Sequence, residues 1–287
     1  MDELRVYENA DGKRYSTFSS GGKIKRLFVP KSADGLIKAV GILEKENAKY
    51  FVVGNGSNTL ISDDGVDNAI CLKRIKGVEI NGDEIKVSCG ETLKNLINKA
   101  TEAGLSGLEN LCGIPATLGG AIRMNAGAFG AEIGDYVTEI TVLHGGNVQI
   151  LKKSDLWFSY RDSVVKEKGY IVVGAKLRLL PDEKINIERR SKEVFKKRKL
   201  SQPSEPSLGS VFKRNEGISA GYYIDALHLK GFSVGGAKVS EKHAGFIVNT
   251  GGATSKDFKI LSDAIIDKVQ CAFGITLERE IEIIGEI

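Results

Sequence analysis

The chain has 287 residues, 41% hydrophobic and 27% charged, with a formal net charge of +4, the balance of a globular protein long enough for two or three domains. No run approaches the roughly 20 apolar residues of a membrane span, and the opening Met1-Asp2-Glu3-Leu4-Arg5 lacks the apolar centre of a secretory leader, so the cytosol is the expected compartment. Four scattered cysteines (Cys71, Cys89, Cys112, Cys271) and only three histidines argue against a disulfide framework or a metal site.

In chain order, Ser32 heads an apolar pattern at Leu36, Val40 and Leu43, which predicts a helix over roughly 33 to 46. The run Tyr50–Val53 reads as a strand and leads into Gly54-Asn55-Gly56-Ser57-Asn58. A short strand near Ala69–Leu72 and another at Ile85–Cys89 follow, then a helix marked by Leu93, Leu96, Ile97 and Ala100 and stopped by Gly104. Residues 113–130 then carry five glycines and one charge. Each glycine inside a helix or strand costs roughly 0.5–1 kcal/mol against alanine, so the segment suits a backbone that approaches a ligand and presents bare N–H groups. Two glycine-rich segments, each beside a strand, suggest one large anionic cofactor held from two sides.

Strands near Val137–Leu143 and Tyr170–Leu179 come next. Arg189, Arg190, Lys192, Lys196, Lys197, Arg198 and Lys199 then crowd one helical stretch. Such a run raises the question of nucleic acid. A single aromatic, Phe195, and the interspersed Glu188 and Glu193 favour a solvated helix face instead, with a few C-terminal cations facing a phosphorylated ligand. Gln202–Ser207 breaks all periodicity and reads as the start of another domain. Thr254 or Ser255 caps a last long helix carrying Phe258, Leu261, Ile265 and Val269, which ends before Gly274, and Ile281–Ile284 reads as a strand. Helices and strands that do not strictly alternate argue for an α+β protein.

No dinucleotide fingerprint of the Gly-x-Gly-x-x-Gly type is present: after Gly54-Asn55-Gly56 come Ser57, Asn58 and Thr59, and Leu60–Gly65 reads as a turn rather than a helix. A Gly-x-x-x-x-Gly-Lys-Ser/Thr phosphate loop is also missing, so a nucleotide cofactor would need a different architecture.

Five segments carry a closer likeness, in this order: Gly54–Asp63, Gly113–Gly130, Tyr160-Arg161-Asp162-Ser163, Gly209-Ser210-Val211-Phe212-Lys213 and Val239-Ser240-Glu241-Lys242-His243-Ala244. So ordered, they resemble the UDP-N-acetylenolpyruvoylglucosamine reductases of bacterial cell-wall synthesis, from about Ser16-Thr17-Phe18 to Gly285. The short link between Arg161 and Tyr170 is similar to the compact subclass. The resemblance implies an FAD-binding fold of the vanillyl-alcohol-oxidase type, with two α+β subdomains over 1–75 and 76–197 and a substrate domain over 198–280; strand 281–287 would return to the first subdomain. Three positions depart from the family pattern: Leu208 stands for a small residue, His228 for a glycine before Leu229-Lys230-Gly231, and Ala116 for the glycine after Ile-Pro. Leu208 is expected to tighten the loop presenting Ser210.

The reaction so implied saturates an enolpyruvyl ether with electrons from NADPH relayed by non-covalent FAD, a step of peptidoglycan precursor synthesis and so of cell shape and division. It needs a charge stabiliser, a proton donor and a group that polarises the substrate carboxylate. Arg161 suits the first, because guanidinium is always charged and grips a carboxylate bidentately. Ser210 would be the proton donor, in an electropositive setting supplied by Lys213 or Lys199. Glu280 would complete the set, with Glu278 as the competing assignment. The resemblance places FAD on Gly54, Asn55, Gly56, Ser57, Asn58, Gly113, Ile114, Pro115, Thr117, Gly119, Gly120, Asn125 and Gly127. It places the UDP-bearing substrate on Tyr160, Lys199, Lys213, Arg214 and His243. A monomer that meets neither nucleic acid nor membrane is expected. A different flavin oxidoreductase on the same fold, such as an alcohol oxidase, shares the glycine loops but not the Gly209–Lys213 and Val239–Ala244 motifs.

Overall fold

The computed structural model describes residues 3–287; Met1 and Asp2, the start of the segment read against a leader peptide, lie outside the described residues. The chain divides into two compact units, each assembled from separated stretches. The first takes the chain up to Tyr7, Leu27–Asn55 and Asn68–Arg198; the second takes Glu8–Arg26, Gly56–Asp67 and Lys199–Ile287.

In the first unit, helix α1 (Ala33–Lys45) starts where Ser32 accepts the Gly35 N–H on its hydroxyl, and it buries Leu36, Ala39, Val40 and Leu43. Helix α2 (Leu93–Glu102) is capped in the same way by Thr92 and buries Leu93, Leu96, Ile97 and Ala100. Short helices α3 (Leu118–Arg123) and α4 (Val164–Glu167) follow. A five-stranded sheet runs in the order Asn147–Lys152, Val137–His144, Ile171–Arg178, Glu84–Ser88, Val78–Asn81, antiparallel at every step. One apolar core joins α1, α2, α3 and this sheet through residues such as Leu43, Leu96, Ile122, Ile140 and Leu177. Ala116 rests its methyl group against that core, which accommodates the side chain where the family pattern has none.

Helix α5 (Lys184–Ser201) buries only Ile187 and Val194. Helices α6 (Ala220–Ala226) and α7 (Ser255–Phe273) belong to the second unit. Thr254, not Ser255, caps α7, in a reciprocal capping box with Asp257, and Gly274 closes it in the left-handed conformation. Beside α7 lies a four-stranded sheet in the order Ser207–Ser210, Phe246–Asn249, Ala237–Val239, Ser233–Val234. The core here gathers Phe18, Leu208, Val211, Ile224, Ile247, Phe258 and Leu261, with Phe18 edge-on to Phe258 at 4.9 Å. Leu208 is 2% exposed in this core.

Several elements depart from the sequence reading. Thr59–Ile61 is a strand that overlaps the Leu60–Gly65 stretch read as a turn, and the terminal strand, Glu282–Ile284, pairs with it in parallel, within the 1–75 segment to which it is expected to return. The strand read at Ala69–Leu72 is Val66–Cys71, with Leu72 opening a 3₁₀ turn. Strands Leu4–Asp11 and Lys23–Pro30 join Val66–Cys71 and Phe51–Val53 in a further four-stranded sheet.

Candidate active site

Within the first unit the two glycine segments touch. Gly54 follows strand Phe51–Val53, and a Cβ there would collide with Thr117 Oγ1; only glycine allows the approach. Beside it, the Asn55 side-chain amide donates to the Pro115 carbonyl at 2.7 Å. The second segment is less bare than its composition suggests. Leu118 N–H donates to Glu91 O at 2.7 Å and Gly119 N–H to Cys89 O at 2.9 Å, so these amides hold α3 to its neighbours. Asn125 is fully buried, and its amide is spent inside the protein: Nδ2 donates to Glu132 Oε2 (2.5 Å) and Ser159 O (2.9 Å), and Oδ1 accepts from Gly134 N (3.1 Å). Gly113 is exposed but backed by Arg198, whose Cδ would lie 2.8 Å from a Cβ there, and a Cβ at Gly120 would meet only Thr117 Oγ1 at 3.6 Å.

Arg161 sits at the tip of a two-residue hairpin in which Phe158–Ser159 pairs with Asp162–Ser163. Its φ of +58° is the left-handed conformation, which costs a non-glycine residue strain, a cost met most often at functional positions. The guanidinium donates to the Gly127 carbonyl at 3.2 Å and lies 5.2 Å from the Tyr160 ring centre. Arg161, Tyr160 and Gly127 are thus brought together.

The basic helix is partly a splint. Arg190 binds Glu109 (2.7 Å), Asp182 (2.5 Å) and Ser106 (3.0 Å), and Arg198 Nε donates to Cys112 O at 3.1 Å while covering the Phe129 ring. Both fix the chain just before Gly113. Burial drives the Glu109 carboxyl up, but Arg190, the Glu109 and Gly107 amides and Ser106 outweigh it and hold it below the ordinary carboxylate range. Sequence reading missed Glu109 entirely, since a single glutamate carries no pattern.

In the second unit, Thr17 N–H donates to Gly56 O at 2.9 Å and the Thr17 hydroxyl to Ser207 O at 2.6 Å. Asn58 Nδ2 donates to the Glu280 carbonyl at 3.1 Å, and Glu282 N–H to Asn58 O at 2.9 Å. Ser210 ends a strand whose pairing with Phe246–Asn249 slips between Ser207 and Ser210, at Gly209 with φ +77°. Such a bulge re-aims the side chain that follows. Beyond it, Val211 N–H donates to Gly245 O, Glu280 N–H to Val211 O (2.8 Å), and Lys213 N–H to Glu278 O (2.9 Å).

That pairing gathers Ser210, Lys213, Glu278 and Glu280 on two adjacent stretches. Glu278 is spent on Lys213 Nζ at 2.5 Å, with its side chain 70% exposed. Glu280 is half-buried and its Oε2 is screened from solvent. Lys199 is exposed, and its carbonyl accepts from Lys242 Nζ at 2.5 Å; Arg214 is exposed. The His243 Nδ1 accepts from Gly245 N–H at 3.1 Å, and burial keeps the imidazole neutral by lowering its pKa.

Comparison with known proteins agrees over the full chain. Residues 24–152 match the family model described as an FAD binding domain, and residues 202–284 match the C-terminal domain of UDP-N-acetylenolpyruvoylglucosamine reductase. A UDP-N-acetylenolpyruvoylglucosamine reductase from Caldanaerobacter subterraneus is 42% identical over 289 residues, covering 100% of this chain and 96% of the relative. One from Caldicellulosiruptor bescii is 43% identical, covering 96% of this chain and 89% of the relative. The crystal structure of UDP-N-acetylenolpyruvylglucosamine reductase from Thermus caldophilus superposes with a TM-score of 0.85 at 37% identity, covering 98% of this chain and 100% of that one.

Proposed function

The chain belongs to the UDP-N-acetylenolpyruvoylglucosamine reductase family, and from that premise we propose how its residues divide the work. It is an FAD-dependent α+β oxidoreductase that reduces UDP-N-acetylglucosamine enolpyruvate to UDP-N-acetylmuramate with NADPH, in peptidoglycan precursor synthesis. In the first unit, Gly54 and Asn55 against Pro115 and Thr117, with Gly113 and Gly120 beside them, form a backbone surface suited to a nucleotide cofactor, and the Arg198 cation that packs against Gly113 suits an anion there. When bound there, FAD supplies the hydride that reaches the substrate's methylene carbon.

The chain's own residues handle what the hydride leaves behind. Negative charge collects on the substrate carboxylate as an enolate, and Arg161 offsets it with a cation that never titrates. The Ser210 hydroxyl delivers the proton to the carbon bearing the ether oxygen. Glu280 faces the carboxylate and polarises it. Glu280 is preferred over Glu278 because the Glu278 carboxylate is already committed to Lys213. The same pair offsets the Lys213 charge, which leaves Lys199 the less compensated cation of the two proposed to assist Ser210. Tyr160, Lys199, Lys213, Arg214 and His243 are assigned to the UDP moiety, and the enzyme to the cytoplasm as a monomer. No helix among the described residues is long and apolar enough to cross a membrane.

The observation that carries the reading is the Glu280 N–H bond to Val211 O at 2.8 Å, which sets the carboxylic acid beside the residue that follows the proton donor. The test is direct. The purified protein is expected to be yellow, to release FAD into the supernatant on acid precipitation, and to oxidise NADPH beyond a single reduction of its flavin only when the enolpyruvyl substrate is added. A protein that neither carries nor takes up FAD overturns the reading.

A further inference from the structure

We propose that the Asn58 side chain positions Glu280 rather than contacting the cofactor. The inference rests on the assignment of Glu280 to catalysis above, and it concerns atoms within one unit.

Strand Glu282–Ile284 runs parallel to Thr59–Ile61, with Glu282 opposite Thr59. The first bond of that ladder is Glu282 N–H to Asn58 O at 2.9 Å. A parallel ladder extended backward would next join the Asn58 backbone N–H to the Glu280 carbonyl. The Asn58 side chain takes that place instead: Nδ2 donates to Glu280 O at 3.1 Å. The ladder is therefore prolonged by a side chain, and the backbone of Gly54–Ser57 is released from strand geometry just where the glycine loop must turn.

The consequence for Glu280 is that its peptide groups are held from both sides. Its N–H is fixed to Val211 O and its C=O to Asn58, so the direction of its Cα–Cβ bond is set by two hydrogen bonds on different elements. Asparagine suits the task for a chemical reason. The group opposite is a carbonyl, which only accepts, so the residue must donate. Aspartate, of the same size, would set a carboxylate oxygen against the carbonyl and repel it.

The experiment uses the FAD-loaded, full-length enzyme reduced by NADPH and mixed with the enolpyruvyl substrate in a stopped-flow instrument. Asn58→Asp and Asn58→Ala are compared with wild type, each alone and in a Glu280→Gln background. Loss of one neutral hydrogen bond at a catalytic group is expected to slow reoxidation about fivefold to tenfold. The FAD dissociation constant is expected to stay within about threefold, below the cost of a lost hydrogen bond. In the Glu280→Gln background the Asn58 changes are expected to add nothing, because residues acting as one unit are non-additive. Weakened FAD binding with wild-type reoxidation at saturating FAD would make Asn58 a cofactor contact and overturn the proposal. Fully multiplicative losses with Glu280→Gln would also overturn it. Wild-type reoxidation by Glu280→Gln alone would remove the catalytic assignment itself, and the positioning role with it. Either Asn58 variant suffices if the other fails to fold.

Discussion

The Glu280 amide donates to the Val211 carbonyl at 2.8 Å, while two residues earlier the Glu278 carbonyl accepts from Lys213 N–H at 2.9 Å. These bonds run the 278–280 stretch antiparallel to 211–213, so the two glutamates share a face but not a fate. Glu278 is an exposed partner of Lys213, and an exposed ion pair is worth about 0.2–1 kcal/mol. Glu278→Gln is therefore expected to leave kcat within about fivefold of wild type, the most such a pair can supply. Glu280→Gln is expected to reduce kcat about 10²–10³-fold, the usual loss on removing one group that stabilises charge developing on the substrate. Steady-state rates for both variants check the assignment; an inert Glu280→Gln would move it to Glu278.

Ser210 is held at a bulge rather than in a regular ladder, which suits a side chain aimed at a substrate. Ser210→Ala is expected to leave reduction of the flavin by NADPH close to wild type. Reoxidation by the enolpyruvyl substrate is expected to slow about 10²–10⁴-fold, roughly 3–5 kcal/mol. Stopped-flow traces separate the two half-reactions. Reoxidation at the wild-type rate would return Ser210 to a structural role.

How much of this was legible in the sequence follows from how each feature is encoded. Helices α1, α2 and α7 announce themselves because a cap at Ser32, Thr92 or Thr254 precedes an apolar repeat, with a glycine stop after α2 and α7. Strands Leu4–Asp11 and Asn147–Lys152 do not, because they are edge strands whose residues are nearly all exposed or half-exposed, and no alternation is needed. The glycine count at 113–130 suggested bare amides throughout, but Gly119 N–H is spent on Cys89 O and holds the fold together, which composition cannot show. Asn58 and Glu280 stand 222 residues apart, and no local pattern can show that a side chain completes a ladder at that separation.

His228 tests backbone strain. It adopts φ +54° just past α6, where Leu229 N–H reaches Ile224 O at 3.1 Å and His228 N–H reaches Asp225 O at 2.9 Å. This is the Schellman arrangement, whose left-handed position favours glycine, and the imidazole is exposed. The strain relieved by glycine, about 1–2 kcal/mol, exceeds its added chain entropy, about 0.5–1 kcal/mol. His228→Gly is thus expected to stabilise the protein by about 0.5–1 kcal/mol, the difference between those two costs, with activity unchanged. Urea unfolding checks it, and a lower midpoint for the glycine variant would contradict the argument.

The Glu109–Arg190 contact sets a pH dependence whose sign is fixed. Burial alone would raise the Glu109 carboxyl, but Arg190, the neighbouring amides and Ser106 hold it below its ordinary value. Asp182, the second partner of Arg190, is held low chiefly by that same guanidinium. A carboxyl whose folded pKa is depressed stabilises the fold above its unfolded pKa, near 4, and loses that contribution as pH falls through the lower folded value. Glu109→Gln mimics the protonated state without the charge. It is expected to cost about 1.5–3 kcal/mol at pH 7, the range for hydrogen bonds to charged groups. The gap between wild type and variant should then shrink as the pH drops below the ordinary carboxylate range, because wild-type Glu109 becomes neutral too. Urea midpoints for both proteins between neutral and acid pH measure the gap. A gap of constant size would show that Glu109 acts by shape alone and that the Arg190 charge contributes nothing to holding the chain ahead of Gly113.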